Sequence, residues 1–541
     1  MGTATMATQP LAGTGPGRLE IADKAACQRW LDALPVTNVP FTLQHLSAQL
    51  DLLALAPVAA PERLRVLETL RETVMFVAGE ATKKFTGRPL PLDAQETATW
   101  DRVVGLWRAM ADGYGLCLDA CKRGELSMAA QGPLINTQAL AFTGRAMFES
   151  YRVYRDIEPA AWRRLHGLNA FAEAQGYALT PVTDRTNTQN APTSCSAAYA
   201  RALLAQLANP FALSGRQLAF MDRWLDTWSG LAGLAAQPLP PSSVPSLAVD
   251  LAGDAGPQLA EQTAPGPGAR YLDLERLAPA LKGLILSLKQ GRAPADLGLG
   301  ADARQPGCES LIMLLYIQWC RAGTARTEDR VATQDKLQVC LGLHAAHFHA
   351  TGRAFRQPGA ALMAEEEEDL RTFGHISDRT QRLLASQESA ALETWDLVNQ
   401  SASGFLCMVR EPESFSKLAH NQLIALRRPS GRTFFVGTVQ WLRFTREGEL
   451  RVGLRLFPGA PRALSARPTG PNVGVGMRYD RALLLPEVPA PSTPSTLLLP
   501  SGWYAPGRVV EIFTDRKQLV RLQSLLEKGA DYDRCTIAVE A

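Results

Sequence analysis

At 541 residues the chain is too long for one ordinary hydrophobic core, and about two to four domains are expected. A hydrophobic content of 46 % beside 20 % charged residues is that of a globular protein with ample core material. The net charge of +3, from 56 basic against 53 acidic residues, removes any global electrostatic case for a nucleic-acid polymer or an anionic membrane as partner.

The nine cysteines are scattered, with no CxxC pair, and fit free thiols in a reducing compartment. The longest compact apolar run, 311–319, is too short to span a bilayer, so no membrane span and a cytoplasmic location are expected. Residues 1–19 are rich in Gly, Thr, Ala and Pro and lack a basic-then-apolar pattern, which predicts a disordered tail without a signal peptide.

Residues 20–236 carry helical periodicity and predict a helical domain. Leu64, Leu67, Leu70, Val74 and Val77 recur at spacings of three and four behind Pro61, a residue suited to a first helical turn. Leu140, Met147, Phe148, Tyr151 and Tyr154 form a second stripe. Leu218, Met221, Leu225 and Trp228 form a third, behind Ser214 as a cap. The tryptophans at 100, 107, 162, 224 and 228 could form a partner surface, but large apolar side chains at this spacing normally face inward.

Residues 237–270, with Pro-Pro at 240–241 and Pro-Gly-Pro-Gly at 265–268, read as a linker. Residues 271–360 read as a second helical segment, with Leu277, Leu281, Leu284 and Leu288 on one face. His344, His347 and His349 lie within six residues, as zinc ligands can. Without a Cys, Asp or Glu partner at ligand spacing, and with Leu341, Leu343 and Phe348 around them, they fit packed structure better, and no metal is expected. The acidic run Glu365–Asp369 reads as a solvated boundary before the C-terminal domain.

From 371 to 485 the pattern turns to short strands: 405–409, 421–427, 433–444 and 450–456. The last alternates Leu450, Val452, Leu454 and Leu456 with Arg451, Gly453 and Arg455. In 433–444, Phe435, Val439 and Trp441 are placed on one face. Several such strands predict a closed antiparallel barrel. Residues 486–541 predict a C-terminal β extension that covers it. The expected fold class is therefore α+β and multidomain: a helical N-terminal region, then a barrel with a β extension.

The segment Asn399-x-Ser401-x-x-Gly404, followed by the strands Val436–Leu442 and Gly453–Leu456, resembles a PilZ domain, the bacterial receptor module for cyclic di-GMP. In that family a (D/N)xSxxG turn works with an RxxxR segment upstream. The resemblance implies that Asn399, Ser401 and Gly404 meet a guanine while arginines wrap the ligand. Upstream, Arg379 stands twenty residues before Asn399, with His375 where a first arginine would be and Arg382 nearby. His375, Arg379, Arg382, Asn399, Ser401 and Gly404 are thus the candidate ligand-binding residues, with Arg382, Arg427 or Arg428 able to compensate for His375.

The guanidinium fork suits guanine O6 and N7 and can pair with phosphate while stacking on the base. No Walker A, GxSxG, HExxH or Gly-rich strand-to-helix fingerprint is present, and no catalytic residue is assigned. The reading is a non-enzymatic cyclic di-GMP receptor or adaptor, needing no cofactor, that couples the barrel to a protein partner through the helical region. The alternative is an interaction scaffold whose degenerate barrel binds no nucleotide.

Overall fold

The computed structural model describes residues 17–183, 192–240, 246–263, 265–321, 329–358, 364–375, 377, 391–470, 478–489 and 493–540.

The N-terminal region is helical. Long helices run over Val39–Leu55, Ala60–Thr82, Ala94–Lys122 and Gly132–Arg152, and the predicted third stripe is the helix Gly215–Trp228. Their starts are set by local chemistry. Asp93 and Glu96 form a reciprocal capping box, as do Ser214 and Gln217, each pair satisfying amides the first turn leaves unpaired. Four of the five tryptophans, Trp107, Trp162, Trp224 and Trp228, are buried, and Trp100 is partly buried, so the inward-facing reading holds.

The predicted linker is only partly a linker. The strands β1 (Gly233–Ala235), β2 (Leu247–Asp250), β3 (Gln258–Leu259) and β4 (Ala269–Asp273) form a small antiparallel sheet in the order β1-β4-β2-β3. Leu247 and Val249 are buried in the same core cluster as Trp162 and Trp228, an anchoring that Pro/Gly-rich composition does not reveal.

The first barrel closes in the order β10-β7-β6-β5-β8-β9, from β5 (Val331–Leu341), β6 (Glu393–Gln400), β7 (Gly404–Val409), β8 (Leu423–Arg427), β9 (Phe435–Phe444) and β10 (Leu450–Leu456). It thus begins at 331, inside the segment expected to be helical, and ends at 456 rather than 485. The first half of β5 is largely solvent-facing and mostly polar, so it carries no apolar alternation to betray it; Leu337 and Val339 enter the barrel core and Leu341 packs against it. The acidic run is not a domain boundary. It lies in the helix Ala364–Phe373, inside a long excursion between β5 and β6.

A second six-stranded barrel replaces the expected β extension. Its strands are β11 (Arg462–Pro468), β12 (Asp480–Leu485), β13 (Thr496–Pro500), β14 (Val509–Phe513), β15 (Lys517–Lys528) and β16 (Tyr532–Val539), closed as β11-β12-β13-β16-β15-β14. It has its own interior, including Leu464, Leu497, Val510, Val520 and Cys535. Residues 480–485 belong to this barrel and not to the first, because β12 pairs with β11 and β13.

The interior of the first barrel is continuous with the helical core. Trp395, Leu397, Val439, Leu442 and Phe444 join Leu140, Tyr151, Tyr199 and Trp319 in one cluster. Leu90 and Leu418 exchange two backbone hydrogen bonds of 2.7 Å across this boundary. The Phe444 amide donates to the Tyr154 carbonyl at 2.7 Å, and Arg443 grips Asp156 with two nitrogens. The helix Gly342–Thr351 fills the space between the barrels, burying Leu343, Ala346 and Phe348 against Ala425 and Val436 of one and Leu483 and Leu498 of the other. His347 is buried there, and among the described residues no cluster of ligating side chains could hold a metal.

All nine cysteines are free thiols. Among the described residues no helix is long and apolar enough to cross a membrane.

Candidate functional site

The Asn399–Gly404 segment joins β6 to β7 as the turn of an antiparallel hairpin. The Ser401 amide donates to the Gly404 carbonyl at 2.8 Å, which closes the turn, and the Leu456 amide donates to the Ser403 carbonyl at 2.8 Å, which ties it to the end of β10. Ser401 is half-buried and Ala402 and Ser403 are exposed, so a ligand can reach the turn from solvent.

Gly404 lies outside the left-handed region that a turn glycine often serves. Its need for glycine comes from strand packing: a Cβ would stand 2.8 Å from the Leu454 carbonyl oxygen, too close for any side chain without movement of the backbone. The sequence motif is thus partly a requirement of barrel closure.

Trp441 does not share a face with Val439. The pairing of β9 with β10 slips between Trp441↔Gly453 and Val439↔Leu454, leaving Gln440 as an extra residue. This bulge reverses the alternation. Val439 stays in the barrel core with Leu442 and Phe444, while Trp441 turns outward over Gly453, where any Cβ would collide with its indole.

One arginine at the turn lies outside the segment where the sequence motif places it. Arg330, at the mouth of β5, donates from Nη1 to Asn399 Oδ1 at 3.2 Å. The register explains the approach, since Val331 pairs with Gln400 and Ala332 with Asn399. Among the described residues no carboxylate pairs with Arg330, so its charge is available to an anion. The sequence around it reads Arg326-Thr327-Glu328-Asp329-Arg330, an RxxxR pair, with Arg326 outside the described residues. The RxxxR pattern is legible in the sequence, but the excursion between β5 and β6 sets Arg330 69 residues before Asn399 and so hides its link to the turn.

Two further arginines flank the turn. Arg428 bridges Asp335 (2.5 Å) and Gln400 Oε1 (2.8 Å), and Arg455, the strand partner of Gly404, pairs with Glu527 of the second barrel. Arg427 is turned away, bonded to Gln338 and lying over the Phe434 ring. His375 is exposed at the end of its helix, with Nδ1 2.9 Å from the Phe373 carbonyl, and Arg379 and Arg382 lie outside the described residues. The structure therefore brings together Asn399, Ser401 and Gly404 with Arg330.

Three family models match the chain. "Cyclic-di-GMP receptor FimW, N-terminal domain" covers residues 25–239, and "Cyclic-di-GMP receptor FimW, middle PilZ domain" covers 247–395. The chain is a PilZ-domain protein. The PilZ match stops at the start of β6, so the Asn399–Gly404 turn lies just beyond it, and the structure joins the two by pairing β5 with β6 inside one barrel. "FimW C-terminal beta-barrel domain" covers 464–539, the second barrel beyond the PilZ barrel. A relative, the cyclic-di-GMP receptor FimW of Pseudomonas aeruginosa, is 23 % identical over 538 aligned residues, covering 89 % of this chain and 85 % of the relative.

Proposed function

We propose that this chain is a non-enzymatic cyclic di-GMP receptor whose ligand lies on the outer face of the PilZ barrel, over the Asn399–Gly404 turn. The carrying observation is the Arg330 guanidinium held 3.2 Å from Asn399 Oδ1, which unites an arginine with the polar turn that the sequence separates widely. Asn399 and Ser401 offer donors and acceptors to a guanine edge. Arg330 and Arg326 supply the planar cations that can meet O6 and N7, stack on a base and neutralise phosphate. In this reading the arginine half of the site precedes β5, and His375, Arg379 and Arg382 are not needed for it. The role is recognition rather than catalysis, in keeping with the receptor named among the relatives.

The helical region is the proposed docking element for a protein partner. Its core is continuous with the barrel interior, so a change in the barrel has a direct path to it.

Isothermal calorimetry of the full chain with cyclic di-GMP tests the assignment. Arg330→Ala and Arg326→Ala should each weaken binding by roughly tenfold or more, the scale of one charge-assisted contact, while Arg379→Ala and Arg382→Ala should leave it unchanged. The reverse pattern would move the arginine half back to 375–382, and no heat from the unaltered chain would sink the receptor reading.

A further inference from the structure

The two barrels meet beside the candidate site, and the side chain that joins them there is Arg455. In register it is the direct partner of Gly404 on one side and of Thr438 on the other. Its neighbour Leu454 faces the barrel core, so Arg455 points outward, on the face that carries Gly404. Half-exposed, it reaches across to Glu527 near the end of β15.

Glu527 belongs to a hairpin that grips the PilZ barrel. The Ala530 amide donates to the Asn421 carbonyl at 2.8 Å, and Asp531 Oδ1 accepts from the Leu423 amide at 2.9 Å. The Arg455–Glu527 pair is the charged member of this set. Asn421 holds a left-handed backbone at the contact, which turns its carbonyl toward the hairpin.

Glu527 would not be stranded if Arg455 left. It already accepts from the Tyr532 hydroxyl at 2.7 Å, and the buried Arg534, whose guanidinium lies over Phe457, is close enough for the Glu527 charge to act on it. A second cation is thus in place to balance the carboxylate, and the exchange avoids an uncompensated buried charge.

Resting on the receptor reading above, we propose that Arg455 is a ligand-responsive latch: a phosphate of the bound dinucleotide takes Arg455 from Glu527 and loosens the hold of the 528–532 hairpin on the PilZ barrel. Occupancy of the turn then reads out as a changed coupling between the barrels. Linkage makes the effect reciprocal, because whatever weakens the Glu527 side must strengthen binding.

The experiment combines calorimetry with hydrogen exchange on the full chain, following peptides that contain Leu423 and Ala530. Cyclic di-GMP should speed exchange at both amides in the unaltered protein. Glu527→Gln, which keeps an acceptor for Tyr532, should bind roughly fivefold or more tightly, the lower end of ordinary coupling, and should exchange fast without ligand. Arg455→Met should bind more weakly and show no ligand-dependent change at these amides. If the unaltered chain binds while its exchange at Leu423 and Ala530 and the affinity of Glu527→Gln stay unchanged, the latch is wrong and the receptor reading stands. If the unaltered chain does not bind, both fall together.

Discussion

Gly437 on β9 and Asn399 on β6 belong to the same barrel and do opposite kinds of work. A Cβ at Gly437 would fall well inside contact distance of the Arg455 carbonyl oxygen, and that oxygen is fixed backbone. Gly437→Ala is therefore expected to destabilise the protein by about 1–3 kcal/mol, the usual cost of overpacking, and to lower its melting temperature in a thermal scan. Asn399 is half-buried at the rim, and its side chain accepts a hydrogen bond from Arg330. Asn399→Ala should cost about 1 kcal/mol of stability or less and yet weaken cyclic di-GMP binding by roughly tenfold or more. A melting temperature that falls as far as that of Gly437→Ala would mean that Asn399 is there for the fold. The same contrast explains what was legible at this scale: Asn399 and Ser401 advertise themselves by type and spacing, whereas Arg330 is one of many arginines until the strand register puts it on Asn399.

Between the barrels, the helix Gly342–Thr351 buries His347, and burial with Arg481 nearby pushes its pKa down to about 4, against the Leu464 carbonyl and Asp480, which pull it upward. An unfolded histidine titrates near 6.5, so the unfolded state takes up this proton first as pH falls. The stability contributed by neutral His347 is therefore complete above about pH 6.5, is lost on descending toward pH 4 and amounts to a few kcal/mol at most. His347→Gln should flatten the fall of melting temperature between those values, with a residual slope from His166 and His420, whose pKa values burial also lowers. A slope that the substitution leaves unaltered would remove His347 as its source. Sequence periodicity identified this helix as packed structure, but not what it packs against, because an apolar stripe is the same whether it meets one domain or two.

Across the molecule, the helical region and the PilZ barrel are one body by their core. The barrel closes around residues that continue into the helical cluster, and Arg443 with Asp156, Leu90 with Leu418, and Tyr154 stacked on His420 seal the junction. A fragment ending at Arg330 would leave Leu140, Tyr151 and Trp319 without the barrel side of their packing. It is expected to bind a hydrophobic dye and to melt without a sharp transition in circular dichroism. A transition as sharp and as hot as that of the full chain would show the helical region to be an independent domain. The second barrel has an interior of its own and meets the first through the 342–351 helix and the 528–532 hairpin.

Sequence alone determined the local features: helices from apolar stripes with Pro61 and Ser214 at their starts, four of the first barrel's six strands, and the Asn399–Gly404 turn from its residue types. These depend on neighbours within a few positions, where the chain's own geometry dictates the outcome. Tertiary structure alone decided which strands belong to which barrel, the outward turn of Trp441 at the Gln440 bulge, and the meeting of Arg330 with Asn399. Strand membership and the Arg330–Asn399 meeting depend on pairings across long loops, where hydrogen-bond register leaves no periodic trace in the chain, and the Trp441 turn depends on a one-residue slip between two hairpin strands. The polar first half of β5 is the clearest instance: it is a strand because β6 lies beside it, and its place there carries the arginine half of the candidate site to the turn.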